Sequence, residues 1–229
     1  MKIIGFPFAG GSKFSYKKIL KNNPNFITLD YPGRGMRINE EFSNSINELI
    51  EDLLRTVIKI AESEEEYIIY GHSMGALVGF LMCHRLKKEG VNLPNKLIVT
   101  GNKGPMSKRV SELYLLPDDK FWDEVVRLGG IPSELNNNQE LKFFFIPILK
   151  SDFRIIENHE LKLVEKLNIP IDVFYGKEEG IKDDEILNWK DLSSEIVNIK
   201  KMEGDHFFIF KHQQFFENYF EELTNKLIV

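Results

Sequence analysis

Short apolar runs alternate along this chain with longer amphipathic stretches. Ile3 to Phe6 is the first such run, and it enters a Gly-rich turn, Phe8-Ala9-Gly10-Gly11-Ser12. Phe26-Ile27-Thr28-Leu29 is the second, ended by Asp30-Tyr31-Pro32-Gly33-Arg34-Gly35. Runs this short, rich in β-branched and aromatic residues and bounded by Gly or Pro, predict strands. Tyr67 to Tyr70, Leu97 to Thr100, Ile171 to Tyr175 and Glu195 to Ile199 predict the others. Ser45-x-x-Glu48 predicts a capping box that opens a helix. Ile46, Leu49, Ile50, Leu53, Leu54, Val57 and Ile58 then fall on one face. Ala76 to Leu86 predicts a further helix. Strands alternating with helices predict the α/β class, a mostly parallel sheet flanked by helices on both faces.

The rhythm breaks between about 104 and 167. Asp119 to Leu128 is helical in pattern, no strand is evident, and Phe121, Trp122, Phe143, Phe144, Phe145 and Phe153 concentrate there. Such a segment reads as a helical insertion with its own small core, and as a lid whose rings shape an apolar pocket. Asn136-Asn137-Asn138 is expected to be an exposed loop. No repeat or linker divides the chain, so residues 1–229 are read as a single domain carrying that insertion.

Composition changes this picture little. The 229 residues are 42% hydrophobic and 28% charged, ordinary for a globular domain. A net charge of −5 gives no general attraction for nucleic acid or an anionic membrane, and neither is expected as a partner. Lys13, Lys17 and Lys18 cluster, and read as a solvated face. The only cysteine, Cys83, has no partner for an internal disulfide and is expected to pack as a small apolar residue. The apolar stretch at the N-terminus is too short for a signal peptide, and no run approaches a membrane span. The reading is a cytoplasmic protein, a monomer for want of an apolar face that asks for a partner.

Candidate chemistry centres on Gly71-His72-Ser73-Met74-Gly75. An apolar strand leads into this Gly-x-Ser-x-Gly and a helix follows, the setting of a nucleophile elbow. Alone, the motif also describes a turn whose serine caps a helix. A serine hydroxyl needs a base, and the base needs an orienting acid. Of five histidines, His72 should point away from Ser73, His84 sits on the following helix, His159 lies in the insertion and His212 reads as surface. His206 follows the last strand in a loop, where this architecture presents a base. For the acid, Glu178, Glu179, Asp183 and Asp184 compete after the strand ending at Tyr175. Spacing from Gly176 makes Glu179 the first choice and Asp183 the second. The Met74 N–H and the N–H of Ala9, in the loop after the first strand, are the expected oxyanion donors. That loop lacks the Gly-x-x-x-x-Gly-Lys pattern of a phosphate cradle.

Several segments together resemble one family. They are Phe6-Pro7-Phe8-Ala9-Gly10-Gly11, Tyr31-Pro32-Gly33-Arg34-Gly35-Met36-Arg37, Gly71-His72-Ser73-Met74-Gly75-Ala76, Leu128-Gly129-Gly130-Ile131-Pro132, Leu149-Lys150-Ser151-Asp152-Phe153 and Gly204-Asp205-His206-Phe207-Phe208. In this order they resemble the type II thioesterases of nonribosomal peptide and polyketide synthase systems. The resemblance implies an α/β-hydrolase fold with a helical lid. It implies hydrolysis of acyl thioesters on the phosphopantetheine arm of an acyl or peptidyl carrier protein, an editing role that needs no cofactor and no metal. Ser73 matches the family nucleophile, His206 its histidine, and Ala9 and Met74 the oxyanion positions. The family's acid is usually an Asp in Gly-x-x-Asp; Glu179 stands there instead. Lys103-Gly104-Pro105 departs from a small residue before Pro. Arg34 and Arg37 are expected to hold their loop through carboxylates. The rival readings are a carboxylesterase of small esters and a non-catalytic carrier-binding homologue.

Overall fold

The computed structural model describes residues 1–20, 23–105, 111–131, 136–160 and 165–225. Pro132 of the Gly-Gly-Ile-Pro segment lies outside them, as do parts of the 104–167 insertion. Six strands form one sheet: β1 (Lys2–Phe6), β2 (Phe26–Thr28), β3 (Tyr67–His72), β4 (Lys96–Thr100), β5 (Ile171–Gly176) and β6 (Val197–Met202). Their order is β2-β1-β3-β4-β5-β6, and every pairing is parallel. The last strand begins two residues later than the sequence pattern suggests and runs on to Met202. Its alternation, not its apolarity, marks it: Lys200 and Lys201 are exposed at the sheet edge.

Period-two alternation sends neighbouring side chains to opposite faces. On one face Ile4, Phe6, Ile69, Leu97 and Val99 pack against helices α2 (Ile46–Ser63) and α3 (Met74–Glu89). On the other, Ile3, Ile68, Tyr70 and Ile98 meet Ile19 of α1 (Lys17–Leu20) and Phe216 and Phe220 near the C-terminus. Both faces are therefore covered, as the α/β pattern requires. Ser45 caps α2 by accepting the Glu48 N–H at 3.2 Å. The reciprocal bond runs one residue earlier than in a standard capping box, from Asn44 N–H to Glu48 Oε2 at 2.9 Å. Ile58 is only partly buried at the edge of the face. Cys83 is fully buried among apolar groups, and burial pushes its thiol pKa far up.

Between β4 and β5 stand helices α4 (Asp118–Arg127) and α5 (Gln139–Glu157). Phe121, Trp122, Val125, Ile146 and Leu149 form a separate small core there, with Ala9 of the β1 loop packed against it. Asn136 to Asn138 are exposed. Asn138 also caps α5, accepting the Glu140 and Leu141 N–H groups. Short helices α6 (Asp183–Leu187) and α7 (Phe208–Lys211) precede the last helix, α8 (Gln213–Asn225). Among the described residues no helix is long and apolar enough to cross a membrane.

Candidate active site

Ser73 sits between the end of β3 and the start of α3 at φ 56° and ψ −112°, and is the only non-glycine described residue at positive φ. Such a conformation costs about 1–3 kcal/mol and persists only where its surroundings enforce it. The flanking glycines show the enforcement. A Cβ on Gly71 would lie 2.0 Å from the Gly75 carbonyl oxygen, and one on Gly75 would lie 1.9 Å from that of Phe6. The Ser73 N–H donates to Thr100 O at 2.8 Å, and Asn102 Nδ2 donates to Ser73 O at 2.9 Å. Strand β4 thus braces the elbow from the side. The sequence does not announce Asn102; its place just past β4 is the signal.

His206 Nε2 lies 2.9 Å from Ser73 Oγ. On its other side, Nδ1 is 3.6 Å from Glu179 Oε1, just beyond hydrogen-bond distance, with the Glu179 side chain only 2% exposed. The carboxylate near Nδ1 favours the tautomer protonated there, which leaves Nε2 to accept the serine proton. Backbone bonds make this meeting possible. Lys177 N–H donates to Met202 O at 2.8 Å and Glu178 N–H to Gly204 O at 2.9 Å, knitting the loop after β5 to the loop after β6. Burial raises the Glu179 pKa above the ordinary range, and the His206 contact opposes the rise.

The other carboxylates lie elsewhere. Asp183 opens α6 with its side chain 78% exposed, and accepts from Tyr175 OH at 3.3 Å and Lys201 Nζ at 3.4 Å. Glu178 and Asp184 are exposed. Among the histidines, His84 packs edge-on against Phe80 and His159 is part-buried on the chain after α5. His212 is half-buried and its Nε2 bonds Glu203 O at 2.7 Å, which ties α8 to the loop that carries His206. It is a support of that loop and not the free surface residue its position suggests.

His72 takes its polar contact from Thr100 Oγ1, 2.9 Å from Nδ1, away from the serine. Its ring nevertheless lies 5.0 Å from that of His206, tilted by 40°, which spacing alone does not reveal. Complete burial, reinforced by His206, holds its pKa well below the usual value, so it stands as a neutral ring beside His206.

Ala9 lines the same cavity as Ser73, and Met74 follows the serine in the chain. Met74 is the first residue of α3, where helix geometry leaves the N–H without an intrahelical acceptor. The Ala9 N–H bonds to no described residue, whereas the next one, Gly10 N–H, donates to Asp152 Oδ2 at 2.7 Å. Asp152 is fully buried on α5 and meets the Arg34 guanidinium with both oxygens, Nη2 lying 2.6 Å from Oδ1. Arg37 holds its own loop through Glu40 and Asp52. An Asp among the apolar positions Ile148, Leu149, Ile155 and Ile156 of this helix is the sequence signal, because such a residue stays buried only with a partner.

A cavity of about 550 Å³ opens at Ser73, His206 and Glu179. Phe8, Val125, Leu128, Leu149, Phe153 and Ile156 make its apolar wall. The Phe143-Phe144-Phe145 run does not line it. Phe143 and Phe144 are 66% and 49% exposed, and Phe145 backs the small core of α4 and α5. Lys103 also borders the cavity, its Nζ 3.1 Å from Glu185 Oε1. Together the groups can deliver a serine oxygen to a carbonyl carbon, receive its proton, and house an apolar acyl chain.

The chain is similar to known proteins over nearly its whole length. The thioesterase domain family model matches residues 1–227. The medium-chain S-acyl fatty acid synthase thioesterase of Rattus norvegicus is 27% identical over 228 residues, covering 95% of this chain and 86% of its own. The probable anguibactin biosynthesis thioesterase of Vibrio anguillarum is 29% identical, covering 91% and 85%. Among solved structures, ClbQ from the colibactin NRPS/PKS pathway superposes with a TM-score of 0.86 at 28% identity, covering 97% of this chain and 98% of that one. BorB, a type II thioesterase from the borrelidin biosynthetic cluster, gives 0.86 at 25% identity, covering 96% and 91%. With its family model matched over nearly its whole length and its α/β-hydrolase sheet intact, the chain belongs to the thioesterase family.

Proposed function

We propose that this protein is a type II thioesterase that removes acyl groups from the phosphopantetheine arm of carrier proteins in a nonribosomal peptide or polyketide system. The observation that carries the reading is the 2.9 Å contact between His206 Nε2 and Ser73 Oγ at a strained elbow, with Glu179 buried beside Nδ1. Ser73 Oγ attacks the thioester carbonyl as His206 takes its proton. The oxyanion is received by the Ala9 and Met74 N–H groups. The protonated His206, steadied by Glu179, supplies the proton to the departing thiolate, a good leaving group. Water, deprotonated by His206, then attacks the acyl-enzyme, and the acid departs as Ser73 regains its proton. Glu is one methylene longer than the Asp usual in the family, and the bonds from Lys177 and Glu178 to the β6 loop hold the backbone that carries it. Helices α4 and α5 act as the lid over the acyl chain, whose wall is Val125, Leu149 and Phe153. The anguibactin and colibactin relatives support the pathway assignment by their names.

The test is intact-mass analysis of a panel of acylated carrier proteins after exposure to the enzyme. Loss of acyl mass with wild type and none with Ser73→Ala is expected. Faster turnover of matching oxygen esters than of carriers would favour a carboxylesterase. Absence of a Ser73 adduct with a serine-directed phosphonate would favour a non-catalytic carrier-binding homologue.

A further inference from the structure

Asp152 does more than fasten the lid helix. Its carboxylate is fully buried, Arg34 beside it is 4% exposed, and Gly10 N–H donates to Oδ2 at 2.7 Å. The guanidinium fork spans both carboxylate oxygens, which fixes their plane and hence the direction from which Gly10 is received. A buried ion pair is a poor device for mere adhesion, since well-packed apolar residues of like volume usually stabilise as much or more. What an apolar pair cannot do is accept a backbone N–H at a set position. That N–H belongs to the residue after Ala9. The same loop is held one turn earlier by Tyr31 OH, which donates to Pro7 O at 2.9 Å. Tyr31 and Arg34 both come from the Tyr-Pro-Gly-Arg segment, and the Tyr31 ring lies 5.3 Å from the Arg34 guanidinium.

We infer that Asp152 is a positioning residue for the oxyanion loop: with Arg34 as its brace it fixes the Ala9–Gly10 peptide, and the Gly11 N–H to Phe8 O bond of 2.8 Å fixes the adjoining Phe8–Ala9 peptide, so that the Ala9 N–H between them is held ready for the developing oxyanion. This rests on Ser73 being the nucleophile of a thioesterase. Leu149 and Phe153, on the same helix, touch the cavity that takes the acyl chain. The helix that reads the acyl group therefore also sets the oxyanion donor.

Three variants test it, with kcat and KM on an acyl-carrier thioester, the rate of Ser73 phosphonylation and the melting temperature as readouts. In Asp152→Ala, kcat and the phosphonylation rate should both fall by about 10²-fold, the loss seen on removing one oxyanion donor, while KM changes by less than about threefold. In Asp152→Asn the amide oxygen still accepts Gly10 N–H, and most of kcat should return. Arg34→Gln should lower the melting temperature as much as Asp152→Ala, yet lower kcat by less than about tenfold. Loss of kcat in step with melting temperature across all three, or a folded Asp152→Ala within about threefold of wild type, overturns the proposal. Should Asp152→Ala fail to fold, hydrogen exchange of the Gly10 amide in the wild-type chain decides: protection supports the bond, and exchange as fast as an open loop overturns it. A wild-type chain without turnover or phosphonate adduct brings down the thioesterase reading, and this proposal with it. Normal wild-type activity with unaffected Asp152 variants brings down this proposal alone.

Discussion

His206 Nε2 reaches Ser73 Oγ at 2.9 Å although the two residues are 133 positions apart in the chain. The parallel sheet closes that distance. Its strands end at one edge, so the elbow after β3 and the loop after β6 open into the same space.

Ser73→Ala should lower thioester hydrolysis by at least about 10³-fold with an unchanged far-ultraviolet spectrum. The alanine keeps the strained backbone. Ser73→Gly should be equally inactive but melt higher than Ser73→Ala, because glycine adopts φ 56° without penalty. Equal melting temperatures would show that the elbow holds no strain. Turnover assays and thermal denaturation of the two variants make the comparison.

Glu179→Ala should impair turnover by about 10²-fold or more, and Asp183→Ala by less than about threefold. The reason is position: Glu179 adjoins His206, while Asp183 faces Tyr175 and Lys201 in solvent. Steady-state kinetics of both variants would reverse the assignment if the ranking were inverted.

The pH dependence of stability follows from the same carboxyl. Burial raises its pKa in the folded chain, against an opposing pull from His206. The folded state therefore holds that proton more tightly than the unfolded state. Its stabilising contribution is full below the ordinary Glu range and is lost as pH rises through the raised value. Glu179→Gln should thus melt higher than wild type at neutral pH, with the gap closing as the solution is acidified, even though turnover falls. A lower melting temperature at pH 7 would mean that the His206 contact outweighs desolvation.

Acyl-chain preference should respond to the cavity wall and not to the exposed rings. Leu149→Phe should shift preference toward shorter acyl groups, since the added ring enters the cavity. Phe143→Ala should leave the preference unchanged, its side chain being directed to solvent. Competition assays with acyl thioesters of graded length distinguish the two. A shift caused by Phe143→Ala would return the Phe143-Phe144-Phe145 run to the pocket.

Local physics makes much of this protein legible in its sequence. Steric crowding at a strand–turn–helix corner demands Gly71 and Gly75 around Ser73, so the elbow is written in five consecutive residues. Alternating and helical periodicities mark the strands and α2, because burial of one face repeats with the geometry of the backbone. Tertiary structure decided what spacing cannot carry. Spacing from Gly176 ranks Glu179 first among the competing carboxylates after β5, but only the bonding of that loop to the β6 loop brings its side chain to His206. Likewise His72 lies beside His206, Asp152 of α5 reaches Gly10 in the loop after β1, and Phe153 lines the cavity where Phe143 does not. Those contacts join segments far apart in the chain, and their partners are set by how crossovers stack on the sheet, which no local pattern of residues records.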